Sequence, residues 1–353
     1  MKRRITKVVN VGSLSIGGGE PIAIQSMTNT DTRDVKSTEK QIQRLVEAGC
    51  EIVRLAVPDE SAALALKQIK SRSAIPIVAD IHFDHRLALL AMENGVDKLR
   101  INPGNIGSEK KIAEVVSVAK ERQIPIRIGV NSGSLSKRSV EKFGRSADAM
   151  VESALEHVAI LENHGFSDIV ISMKATDIAQ TLAAYKIMSD RVEYPLHIGI
   201  TEAGTKWFGT IKSAAGLGAI LSHGIGDTIR ISLTADPVEE VKVAWALLSA
   251  LEIRRRGPVF ISCPTCGRTE IPLLDIAKQV EERLSTLQTS LTIAIMGCPV
   301  NGPGEAREAD LGIAGGQGVG VIFRKGTIIR KVPEDQLVDA LVAEARLIAE
   351  NDV

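Results

Sequence analysis

Between residues 20 and 250 the sequence alternates short apolar runs rich in Ile and Val with longer amphipathic stretches. This alternation restricts the fold more than any other feature. The runs are PIAIQSM (21–27), EIVRLAV (51–57), IPIVADI (75–81), DKLRI (97–101), IPIRIGV (124–130), SDIVISM (167–173), PLHIGI (195–200) and DTIRISL (227–233). Between them lie stretches with a helical period, such as STEKQIQRLVEAG, SEKKIAEVVSVAKE and DPVEEVKVAWALLSALEI. Eight strands alternating with helices over about 230 residues predict an α/β chain whose main part is a (β/α)8 TIM barrel, a fold of ~250 residues. An open doubly wound sheet would carry GxGxxG after its first strand, but QSMTNTDT stands there.

The flanks read differently. Residues 1–20 contain VVNVGSLSIGGG, a short hairpin expected to plug one end of the barrel. EIRRRGP (252–258) combines a charge run with Gly-Pro and reads as a hinge linker. The expected division is thus a barrel over 1–251, a linker over 252–258, and a small α+β domain over 259–353. Within that domain GGQGVG lacks the GKS/T ending of a phosphate-binding loop and reads as a tight turn.

Charge and composition exclude several functions. Lys and Arg number 43, Asp and Glu also 43, so the chain has no basic surplus for nucleic-acid phosphates or anionic lipid. Aromatic residues make up 3%, too few for a base-stacking platform. The N-terminal segment lacks the apolar core of a signal peptide, and nowhere do eighteen apolar residues run together. A soluble, cytoplasmic protein without nucleic-acid or membrane partners is expected.

In a TIM barrel the active site is built at the C-terminal ends of the strands. Five of the strand ends carry a cation there: Arg54, Arg100, Arg127, Lys174 and Arg230. Barrel interiors are normally filled by Val, Ile and Leu, and cations crowded there without an anion are costly. Arg forks suit phosphate oxygens bidentately, so a small diphosphate-sized ligand follows. Asp80, His82, Asn102, Asn131, Thr201, Glu202 and Ser232 stand at or just beyond the same strand ends. Of these, Asp80, His82 and Glu202 are able to move protons or bind hydroxyls.

Cys263 and Cys266 form a C-x2-C pair directly after a strand, and Cys298 follows in MGCPVNGPGEA, also after a strand. Zinc would need a fourth Cys or His, and all six histidines lie in the barrel. A 4Fe-4S cluster with three cysteine ligands and an exchangeable fourth site fits better. Glu305, seven residues beyond Cys298, is the oxygen ligand at hand. Cys50 opens the second barrel strand and reads as a small buried hydrophobe.

The segments SCPTCGRTE, MGCPVNGPGEA, ADIHFD, LRINPGN, RIGVNSGS and GITEAG together resemble the 4-hydroxy-3-methylbut-2-enyl diphosphate synthases of the non-mevalonate isoprenoid pathway, in their short two-domain form. The resemblance spans nearly the whole chain. It implies that Cys263, Cys266, Cys298 and Glu305 bind a 4Fe-4S cluster, and that Arg54, Arg100, Arg127, Asn131, Lys174, Arg230 and Ser232 hold a diphosphate. Asp80, His82, Asn102, Thr201 and Glu202 would surround the carbon skeleton, with Glu202 handling the proton and Glu305 yielding its iron. The implied reaction is a two-electron reductive ring opening of 2-C-methyl-erythritol 2,4-cyclodiphosphate with loss of water. Flavodoxin or ferredoxin would supply the electrons.

The last barrel helix, about 237–251, covers roughly 20 Å at 1.5 Å per residue and ends at the face opposite the catalytic one. Its short linker launches the small domain from that face. A head-to-tail homodimer with composite sites is therefore expected, as the resemblance also implies. Two other classes fit parts of the sequence: a pterin-binding-type barrel transferase with a structural zinc module, and an electron carrier without a substrate pocket.

Overall fold

The computed structural model describes residues 2–298 and 306–351, without the Pro103 side chain. They form two compact units, Met1–Arg254 and Arg255–Val353.

The first unit is the predicted barrel. Its parallel strands are β3 (Ala23–Met27), β4 (Ile52–Ala56), β5 (Ile77–Asp80), β6 (Lys98–Ile101), β7 (Ile126–Asn131), β8 (Ile169–Lys174), β9 (His197–Ile198) and β10 (Thr228–Ile229). They are hydrogen-bonded in the order β8-β7-β6-β5-β4-β3-β10-β9, and a parallel bridge between Ile171 and Leu196 closes the ring. Ahead of them, β1 (Val9–Val11) and β2 (Leu14–Ile16) pair antiparallel. Val9, Val11 and Ile16 of this hairpin pack against Ala23, Ile52, Val78 and Val170, the inward residues near the strand starts. The hairpin thus plugs the N-terminal end of the barrel.

Helices follow each strand: α1 (Val35–Ala48), α2 (Glu60–Arg72), α3 (His85–Glu93), the single turn α4 (Pro103–Ile106) with α5 (Glu109–Glu121), α6 (Lys137–Phe143) with α7 (Ala147–Asn163), α8 (Ile178–Arg191), α9 (Lys206–Ser222) and α10 (Pro237–Ala250). Side-chain oxygens of Asp34, Asp59, Asp84, Ser146, Asp177 and Asp236 accept from backbone N–H groups in the first turns. These caps start the helices on the side where the strands end, which fixes the βα loops.

The apolar runs at 195–200 and 227–233 yield ladders of only two residues each. The β9 ladder stops at Gly199, where an added Cβ would stand 2.7 Å from Lys174 Nζ and 2.8 Å from the Arg230 carbonyl oxygen. The backbone there is shaped around polar side chains of the barrel mouth rather than around continued pairing. At the far end, Arg254 donates to the Ile22 carbonyl at 2.6 Å and pairs both Glu51 oxygens at 2.8 Å. Ile22 and Glu51 precede β3 and β4, so the barrel chain leaves at the face opposite the strand ends.

The second unit carries a sheet in the order β11 (Val259–Ser262), β12 (Thr292–Met296), β13 (Leu311–Ala314), β14 (Val319–Arg324) and β15 (Thr327–Pro333). The first three strands are parallel and the last two antiparallel to their neighbours. Helices α11 (Leu273–Leu284) and α12 (Leu337–Asn351) cover it, with Val280, Leu284, Ile293, Ile295, Leu311, Ile313, Leu337 and Leu341 in the core. Central strand β13 ends immediately before GGQGVG, the segment that reads as a tight turn in the sequence. Glycines on both sides of LGIA mask a short strand whose residues are all buried. No helix among the described residues is long and apolar enough to cross a membrane.

Candidate active site

Successive residues of a strand point to opposite faces, so positions two apart share the barrel interior. Arg54 follows Ile52, Asp80 follows Val78, and Ser172 and Lys174 follow Val170 along such inward rows. Pairing sets Asp80 opposite Arg100 and Arg100 opposite Arg127 on adjacent strands. At the C-terminal end these rows enclose a pocket of about 200 Å3. It is lined by Arg54, Asp80, His82, Arg100, Arg127, Gly129, Asn131, Ser172, Lys174, Thr201, Arg230 and Ser232.

Two predicted residues stand elsewhere. Asn102 is buried and its Oδ1 accepts from the Gly129 N–H at 3.0 Å, so it holds a lining strand. Glu202 sits in left-handed backbone with φ 53°, exposed, its Oε2 accepting from Thr176 Oγ1 at 3.1 Å. It belongs to the rim outside the lining.

The cations are held in different ways. Arg100 NH1 meets Asp80 Oδ1 at 3.3 Å and NH2 donates to the Gly129 carbonyl at 3.0 Å. Gly129 is required there, because an added Cβ would be 3.0 Å from the Arg100 Cζ, with the guanidinium nitrogens nearer still. Arg54 Nε stands 3.8 Å from Asp80 Oδ2 and donates to Met27 Sδ at 3.0 Å, a weak acceptor. Burial, together with Arg230 and Arg100 and against the pull of Asp80, pushes Arg54 down to about 10. Arg230 forms a two-pronged pair with Glu240 of α10 at 3.2 Å on each side. Arg127 is fully buried, and its Nε and NH1 have no partner among the described residues; Arg100 Nε shares this condition. Burial and the charges of Arg54 and Arg100 hold Arg127 well below its ordinary value.

Lys174 Nζ lies 3.3 Å from His197 Nε2, and His197 Nδ1 lies 2.8 Å from Thr228 Oγ1. Burial and the surrounding Arg side chains depress both Lys174 and His197. Asp80 is the acid inside this group. Burial opposes its ionisation, but Arg54, His82 and Arg100 together hold its carboxyl well below the usual carboxylate range. Buried guanidinium donors without acceptors are rare in native proteins. An anion with several oxygens would satisfy them and offset the mutual repulsion.

Glu240, Ser172, Gly129, Lys98 and His197 are functional neighbours that the strand-end reading passed over. Two left a signal. Glu240 falls with Pro237, Val241, Ala244 and Leu248 on the buried face of its helix, a carboxylate where an apolar residue is the rule. Lys98 precedes Arg100 by two residues and so shares its inward row.

In the second unit, Cys263 follows β11 and Cys298 lies two residues past the neighbouring β12. Parallel pairing of Ser262 with Ile295 brings these two strand ends side by side, and Cys263 Sγ accepts from the Gly297 N–H at 3.3 Å. Cys266 is exposed, and hydrogen bonds from Arg268 lower its pKa, favouring the thiolate that metal ligation needs. All three are free thiols, and Cys50 is buried in the barrel as expected. Among the described residues no three Cys, His, Asp or Glu side chains stand together as a metal site. Glu305 lies outside the described residues.

Two family profiles match the chain. One, described as the GcpE TIM-barrel domain, covers residues 6–245, and the other, the GcpE protein C-terminal domain, covers 259–347. The chain belongs to the GcpE family. GcpE relatives named 4-hydroxy-3-methylbut-2-en-1-yl diphosphate synthase (flavodoxin) include one from Clostridium perfringens, 60% identical over 97% of this chain and 98% of its own length. Another, from Geobacter sulfurreducens, is 58% identical over 97% and 98%. The GcpE barrel also superposes on dihydropteroate synthase of Stenotrophomonas maltophilia, with TM-score 0.51 and 13% identity over 70% of this chain and 98% of that one. The enzyme from Yersinia pestis gives 0.50 and 11% over 69% and 97%. At such identity the likeness concerns the barrel fold alone.

Proposed function

We propose that this GcpE protein is a 4-hydroxy-3-methylbut-2-en-1-yl diphosphate synthase. It opens the ring of 2-C-methyl-D-erythritol 2,4-cyclodiphosphate reductively, with two electrons and loss of water, to (E)-4-hydroxy-3-methylbut-2-enyl diphosphate. One observation carries the reading: four Arg and a Lys from five strands converge on a small pocket, with buried guanidinium donors left over for an anion. The family membership and the relatives' names support it. The pterin-binding alternative has only the shared barrel in its favour.

Arg54, Arg100, Arg127, Lys174 and Arg230 bind the diphosphate, Asn131 and Ser232 add hydrogen bonds, and Asp80 with His82 keeps the guanidinium groups aligned. Orientation comes from strand-borne side chains that are fixed before the ligand arrives. Glu202, beside Thr176 on the rim, handles the proton that leaves with water. Cys263, Cys266, Cys298 and Glu305 would hold a 4Fe-4S cluster. Two of the thiols sit on adjoining loops and the third has a depressed pKa, a donor set suited to iron. When bound, the cluster supplies electrons singly, drawn from flavodoxin or ferredoxin, for cleavage of a strong C–O bond. The barrel chain exits opposite its mouth, and this supports a head-to-tail homodimer in which each mouth works with the partner's cluster domain. Residues 252–258 then serve as the hinge for closure.

Anaerobic incubation of the iron-loaded protein with reductant and cyclodiphosphate, read by phosphorus NMR, tests the reading. The ring diphosphate signals should give way to those of a linear diphosphate. An unchanged spectrum from protein with a full complement of iron would overturn it.

A further inference from the structure

Below the lining residues the barrel holds a second inward layer with chemistry of its own. Lys98 lies two residues before Arg100 on β6, is fully buried, and its Nζ has no hydrogen-bond partner among the described residues. On β3, both side-chain amide atoms of buried Gln25 are likewise unpartnered among the described residues. The charged groups facing Lys98 are Arg127 on β7, Arg54 on β4 and Asp97 immediately before it, while His197 on β9 feels its charge in turn. Asp97 is committed elsewhere. Its carboxylate takes Lys70 Nζ at 2.8 and 2.6 Å and the Ile77 N–H at 2.7 Å.

An ammonium at this position therefore makes no hydrogen bond among the described residues, feels the charge of two guanidinium groups, and has its nearest carboxylate already committed. In a dry interior that is costly, and a neutral amine avoids the cost. An anion seated among Arg54, Arg100 and Arg127 offsets most of their positive charge, and the protonated form of Lys98 then costs far less.

We propose that Lys98 is the proton-linked charge of the pocket: a neutral amine while the pocket is empty, it takes one proton from solvent when the diphosphate binds. The only bond formed is N–H, and no electrons move. Lys98 acts through Arg127 and Arg54 as a positioning residue and does not touch the substrate. Burial and the charges of Arg127 and Arg54, which push Lys98 down to about 7, support this. Lys174 differs, since it lines the pocket and has His197 beside it. The proposal rests on the pocket being the diphosphate site.

Calorimetry tests it on the full-length, iron-loaded protein without reductant, titrated with the cyclodiphosphate in two buffers of different ionisation enthalpy. Each phosphate of this cyclic ligand carries a single, strongly acidic proton, so the ligand itself does not titrate near neutrality. At pH 7.5, chosen because it lies about half a unit above the pKa to be observed, the unmodified protein should take up a large fraction of one proton per ligand. Its affinity should fall up to about tenfold per pH unit above pH 8. In Lys98→Met and Lys98→Arg the uptake should fall by that same fraction, and the affinity should lose the matching part of its pH slope, whatever Lys174 and His197 add. Binding by the unmodified protein without proton uptake overturns the proposal with no variant needed. Undiminished uptake in Lys98→Met overturns it as well. Absence of binding by the unmodified protein instead removes the pocket reading on which it rests.

Discussion

Glu240 grips Arg230 with both carboxylate oxygens, Nε to Oε2 and NH2 to Oε1, at 3.2 Å each. The same carboxylate accepts from Ser26 Oγ at 2.9 Å and the Leu233 N–H at 3.1 Å. One buried acid from the last barrel helix thus ties strands β3 and β10 together and aims one of the five cations.

Replacing Glu240 by Ala should therefore act on both stability and binding. Arg230 would be left as a partly buried charge without its partner, for which a loss of about 3 kcal/mol is typical. Urea unfolding of Glu240→Ala should show that loss, and the KM for the cyclodiphosphate should rise more than kcat falls. An unchanged urea midpoint would mean that the pair is not structural.

Asp80 makes stability depend on pH in one direction. Its folded-state pKa is depressed below the unfolded value of about 3.9, so the native state holds fewer protons than the unfolded state between the two values. The contribution is fully present above about pH 4 and lost as pH falls through the folded value. Thermal unfolding between pH 6 and pH 3 should show a steeper acid decline for the unmodified protein than for Asp80→Asn. Equal slopes would assign the acid sensitivity to other carboxylates.

Much of this organisation is legible in the sequence because the barrel has a strict period. Eight Ile- and Val-rich runs locate the strands, and once they are placed, reading the polar residues from their middle onward finds Arg54, Asp80, Arg100, Arg127, Lys174 and Arg230. What escapes is set by contacts across the chain. Glu240 joins the site by lying on the inner face of a helix, and Gly129 and Gly199 matter through what passes over them. Asn102 and Glu202 follow strands as motif residues do, yet local hydrogen bonds turn the first into a brace for Gly129 and set the second on the rim. Strand β13 stays hidden because glycines surround its four buried residues.

A composite site makes a prediction that no single-chain site shares. Cys263→Ser removes a thiolate from the small unit, and Arg127→Ala removes a pocket donor from the barrel. Each homodimer should be inactive. Co-expression or subunit exchange should restore up to about half of the native sites' activity in the mixed dimers, because one of the two mouths is then intact and faces an intact cluster domain. Turnover remaining at the level of the separate variants would show that barrel and cluster from one chain work together.

Replacing Glu305 would separate holding iron from using it. A carboxylate is a harder ligand than a thiolate and binds iron–sulfur clusters less firmly, so Cys263, Cys266 and Cys298 should retain the cluster without it. Iron content and visible absorbance of anaerobically purified Glu305→Ala should therefore match the unmodified protein, while turnover of the cyclodiphosphate should fall at least about a hundredfold, the scale of losing one group that acts in the transition state. Cys298→Ser should behave oppositely at the first step, losing both iron and colour, because two thiolates cannot hold the cluster. A full turnover rate in Glu305→Ala would remove that carboxylate from the reaction. Loss of iron in the same variant would make it a structural ligand, equivalent to the cysteines.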